Sequence, residues 1–207
     1  MRTRYRTVFS RVKRALGIAA ALVCTITGCG TSAPSLPSGC VADARRAERV
    51  AERLSGIADA EVLRPDELLD RVCFGPGAGT LWPGPVLALP TDTSDDEAAA
   101  RLTHLAHHVR HGRGLVAHAP LSGPCGPLVE EALREEAQAH VVEMQVRASL
   151  GVNEPRRAFE NERAILAMPR AGRVEAVLAF LRAHPDGGGG YEPLGRDYAE
   201  RCERESR

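Results

Sequence analysis

The chain has 207 residues, with 27 lysines and arginines against 27 aspartates and glutamates. Every charge in the first 28 residues is basic (Arg2, Arg4, Arg6, Arg11, Lys13 and Arg14), so the remainder carries 21 basic residues against 27 acidic ones. A net charge of minus six on that part argues against nucleic acid as a partner, and its length suits one domain with a real core.

The amino-terminal basic block is followed by a short apolar run, residues 15–26. That order reads as an export signal, and the run is shorter than the roughly 20 residues of a membrane span. It ends in Ile26-Thr27-Gly28-Cys29, which resembles the lipobox of bacterial lipoproteins. The resemblance implies removal of residues 1–28, acylation of Cys29, and a lipid bilayer as partner through that anchor. Gly30, where an aspartate resembles an inner-membrane retention signal, favours the outer membrane. Residues 29–39 are small and Pro-rich, as expected of a flexible tether before a single domain at 40–207.

Four further cysteines, Cys40, Cys73, Cys125 and Cys202, suggest two disulfides in an oxidising compartment, with three pairings open. Cys40 or Cys73 is expected to tie the amino-terminal region to the rest, and Cys202 to pin the last helix.

Residues 41–57 place Val50 and Leu54 at helical spacing, and Arg64-Pro65-Asp66-Glu67 opens a second short helix through Val72. A Gly-rich turn at 75–79 precedes a strand pair, or one broken strand, over 80–89. Ser94 and Glu97 form a capping box for a helix that runs to a left-handed stop at Gly112. A long helix follows at 128–150, ending at Gly151, then three shorter ones at 155–166, 174–183 and 197–204. The fold class expected is mainly α, an α+β chain with a small sheet or hairpin beside a helix pair and further C-terminal helices.

Two helical faces carry the chemistry. Leu102, Leu105, Ala106 and Val109 form one stripe of the capped helix, and His104, His107, His108 and His111 lie opposite. On the long helix, Glu136, His140, Glu143 and Arg147 fall inside the apolar arc instead of opposite it. Buried carboxylates must pair, bind a cation or take protons, because an unpaired one costs several kcal/mol. Helices joined by a modest loop pack antiparallel, which sets the histidines against the glutamates.

This arrangement resembles the zincin metallopeptidases. Their His-Glu-x-x-His helix corresponds to His104-Leu105-Ala106-His107-His108, so the resemblance implies His104, His108 and Glu136 as ligands of Zn²⁺. His107 and His111 form a second, less centred pair. Leu105 stands where the family has its general base, and neither Glu143 nor His107 matches a family position. The expectation is a membrane-anchored, catalytically impaired zincin-like domain that binds a metal, a peptide or an envelope protein, with enzymatic activity left open. The alternatives are a plain interaction lipoprotein with its histidines in solvent, a metal-free network with Arg147 neutralising Glu143 or Glu136, and an active zinc peptidase.

Overall fold

The structure is a computed structural model that describes residues 36–76, 79–81, 85–152, 161–187 and 193–206. The expected export signal, Cys29, Trp82, the start of the helix expected at 155 and Gly188 to Gly190 lie outside the described residues. Residues 34–207 form one compact unit, mainly helical with a small sheet. None of its described helices is long and apolar enough to cross a membrane.

The segment expected to be a tether ends in structure: a turn closes at Cys40 N–H to Pro37 O (3.0 Å), and Val41 exchanges backbone hydrogen bonds with Phe74. That pairing is why α1 (Ala44–Glu52) starts later than the spacing suggests. Asp43 caps it by accepting from Arg46 N–H at 2.9 Å, and the chain leaves helical geometry before Gly56, whose φ is +81°. α2 (Ala58–Glu61) and a 3-10 segment (Pro65–Arg71) follow.

The sheet has three strands, β1 (Val72–Gly75), β2 (Gly79–Leu81) and β3 (Val86–Pro90), in the order β1-β3-β2. β2 and β3 are the expected antiparallel pair. β1 pairs parallel to β3, with Val72 beside Leu87, and has no counterpart in the sequence reading. Its residues are buried throughout, so no alternation marks it as a strand, and its partner is remote in sequence.

α3 (Asp95–His111) begins as expected, with Ser94 Oγ accepting from Glu97 N–H at 3.1 Å. α1 holds its start. Arg46 donates to Asp95 and to the carbonyls of Thr91 and Thr93, and its guanidinium lies 4.3 Å from the Phe74 ring centre. The stop at Gly112 is not left-handed: φ is −56° and ψ 134°. Glycine is needed there because a Cβ would meet His108 O at 2.3 Å and Glu135 Oε1 at 3.2 Å. Gly151, which ends α4 (Cys125–Leu150), does take the left-handed conformation, with φ +71°.

α5 (Glu162–Ala167), α6 (Arg170–Ala183) and α7 (Leu194–Glu205) complete the fold. One core joins the sheet, α1 and the Leu102/Leu105/Ala106 stripe of α3. A second joins Leu133, Ala137, Val141 and Met144 of α4 to α5 and α6. The disulfides are Cys40–Cys73 and Cys125–Cys202. The first ties the chain just before α1 to β1, and the second pins α7 to the start of α4.

A candidate metal centre between two helices

α3 and α4 run antiparallel: Arg101 and His104 meet Glu143, His108 meets Glu136 and Glu135, and Arg113 N–H donates to Glu135 Oε2 at 3.1 Å. The histidine face is therefore interior. His104, His107 and His108 are 3%, 7% and 5% exposed, which overturns the reading of a solvated face; only His111 stands exposed. Glu135, Glu136, His140, Glu143 and Arg147 are buried opposite them.

At the centre, His104 Nε2 and His108 Nε2 lie 2.9 Å apart, and Glu136 Oε2 lies 3.4 Å from each. A circle through these three atoms has a radius of about 1.9 Å. An ion at the usual zinc–ligand distance of about 2.0–2.1 Å would touch all three from just above their plane. The sequence-derived trio thus converges on one point.

Each of the three is held from behind. His108 Nδ1 lies 3.0 Å from Glu135 Oε1, and His104 Nδ1 lies 2.9 Å from Glu143 Oε2, somewhat off the hydrogen-bond line. Tyr198, from α7, donates its hydroxyl to Glu136 Oε1 at 2.5 Å. Such partners orient metal ligands and raise their basicity. Glu143 also accepts from Arg101 at 3.3 Å and lies 3.7 Å from Arg147, which pairs with Glu162 of α5 at 3.1 Å. Of the neutralisations expected of Arg147, the one at Glu143 is present.

The electrostatics follow from burial and proximity. Burial alone would lower the pKa of His108, but the Glu136 charge and the bonds to Glu135 and Glu136 hold it at about 9. Burial would likewise raise Glu136, but the two histidines pull it well below the carboxylate range. Glu143 is also pulled well below, against burial, chiefly by Arg101 and then His104. Burial, then the neighbouring histidines, depresses His107 to about 3; burial and His104 depress His140 to about 4. Burial and Glu136 drive the Tyr198 phenol well above its ordinary value, so it stays a donor. Without an ion, Glu135 and Glu136 keep His108 protonated through neutral pH.

No protein-family model, curated protein or solved structure matches this chain.

The remaining sequence candidates sort by contact. His107 is buried with no hydrogen-bond partner at Nδ1 and groups with His108 and Glu135. His111 touches only its edge, with its ring 4.9 Å from that of His107. His140 groups with His104 and Glu136. Sequence reasoning missed Glu135, Arg101 and Tyr198 as members of the site. Glu135 lies just outside the apolar arc of α4. Tyr198 is four residues before Cys202, on the face that its disulfide turns toward α4. That spacing was the available signal.

Proposed function

We infer that this chain is a lipid-anchored envelope protein whose helix pair holds a divalent transition metal. The ligands are His104 Nε2, His108 Nε2 and Glu136 Oε2, and zinc suits two imidazoles and one carboxylate at tetrahedral spacing. The observation that carries the reading is the close triangle of donors, each backed by its own partner: Glu143, Glu135 and Tyr198. Glu135, Glu136 and Glu143, buried together, call for compensating cations.

The framework resembles a zincin that has lost hydrolysis. Leu105, at the general-base position, is 1% exposed within the core against the sheet. Glu143 is engaged with His104 and Arg101, and Glu135 with His108 and the Arg113 N–H, so neither is placed to take a proton from water. The domain then serves by holding metal, or by presenting its surface to a peptide or envelope protein. The anchor rests on residues 1–29, and two disulfides suit an exported protein.

Elemental analysis of the mature chain purified from membranes tests the metal, with one equivalent expected per chain and none in His104→Ala, His108→Ala. A wild-type chain devoid of metal after growth with zinc leaves only the metal-free polar network. Labelled palmitate tests the anchor: incorporation should vanish in Cys29→Ser, and labelling that persists there defeats the lipobox reading.

A further inference from the structure

We propose that His140 supplies a fourth ligand, closing the centre as three histidines and one glutamate with no position left for substrate. This rests on the metal reading above and decides what the metal does. Glu136 and His140 stand at i and i+4 on α4, facing His104 and His108 at i and i+4 on α3, so two antiparallel helices each present a two-ligand step. One donor atom from each of His104, Glu136 and His140 lies within 4.8 Å of the other two. The His140 ring stands edge-on to His104 with centres 4.5 Å apart, and its Nδ1 lies 3.7 Å from Glu143 Oε2. The carboxylate that backs His104 therefore also faces His140. Nitrogen donors must approach to about 3.3 Å of one another around a tetrahedral ion, a movement of the order that a side-chain rotation supplies.

Burial favours closure. The four residues are between 3% and 8% exposed, too enclosed for a peptide carbonyl to reach an open coordination position. A hydrolytic zinc centre keeps one position for water or substrate, whereas a structural or storage centre fills all four. The His140 ligand assigns this site to the second kind.

Cobalt(II) tests the assignment on the full chain, solubilised from membranes and stripped with chelator. The wild-type protein should take up one equivalent and give the intense visible bands of four-coordinate cobalt, unchanged by azide. His140→Ala should still bind cobalt, about 10-fold or more weakly, with bands that weaken and shift when azide enters the vacated position. His140→Gln serves as a second variant should the alanine fail to fold. A wild-type spectrum that is weak or azide-sensitive overturns the fourth ligand while leaving the three-ligand centre intact, and so do variants with unaltered spectra. Failure of the wild-type chain to bind cobalt or zinc overturns both.

Discussion

The two faces of α3 are almost equally buried, yet they belong to different kinds of interior. Leu102, Leu105 and Ala106 are 0–1% exposed against the sheet and α1, and His104, His107 and His108 are 3–7% exposed against α4. Amphipathic division of a helix ordinarily separates core from solvent. Here it separates an apolar core, held by burial alone, from a polar one that is stable only when its charges are matched. The first needs no ligand, and the second is arranged as though it has one.

The strongest way to break that division is to put a carboxylate on the apolar face. Leu105→Glu restores the glutamate of the zincin pattern but buries it among Ala98, Leu102 and the sheet, with a cost of several kcal/mol. We expect a large fall in thermal midpoint by circular dichroism and no peptide cleavage with zinc. A variant that folds with native stability and cleaves peptides shows that this face opens to water.

Next in size is the pH response of the metal-free chain. His107 and His140 have folded values of about 3 and 4, below the ordinary 6.5, so the unfolded chain binds their protons first and stability falls as pH drops below about 6.5. The depressed Glu136 and Glu143 add to this loss as pH falls below the ordinary 4.5. His108, raised to about 9, acts oppositely: its contribution is full below 6.5 and is lost as pH rises through 9. The melting midpoint should therefore peak near pH 6.5, and zinc should abolish the alkaline arm by replacing the His108 proton. A midpoint that stays flat from pH 4 to 6 places the histidines in solvent.

Glu143→Gln leaves the three proposed ligands in place but removes the charge behind His104. Zinc affinity measured by chelator competition should fall about 10- to 100-fold, while the cobalt spectrum keeps its four-coordinate form. Unchanged affinity would make Glu143 a partner of Arg101 and Arg147 only.

Local signals carried most of what could be read in advance. Ser94, Gly151 and the 80–89 strand pair declare themselves within a few residues, and the i, i+4 histidines with a misplaced glutamate pointed to His104, His108 and Glu136. β1 escaped because Val72, Cys73 and Phe74 are only three apolar residues without alternation, set between Arg71 and Gly75, and its partner is a strand beyond the next one. The disulfide pairing escaped for a similar reason, since spacing says nothing of which chain ends meet. Glu135 and Arg101 escaped because each sits at the margin of its helix face, where exposure and burial share one pattern. Tyr198 lies 62 residues from the carboxylate it binds, a contact set by tertiary packing and not by any periodicity.

That last contact yields the smallest effect and the most specific one. Tyr198 reaches Glu136 only because α7 is pinned to α4, and Cys202, one turn on, makes the pin with Cys125. Tyr198→Phe removes one hydrogen bond to a charged ligand without removing packing, so zinc affinity should fall by roughly 10-fold. Reducing the Cys125–Cys202 disulfide, or replacing both cysteines by serine, should lower the wild-type affinity by a similar factor, because it frees the same hydroxyl. In the Tyr198→Phe background it should lower it no further, since the contact it releases is already gone. Two full, additive losses in a double-mutant cycle would mean that the disulfide acts on the metal by another route, and that the polar interior ends at Glu136 without extending to the last helix.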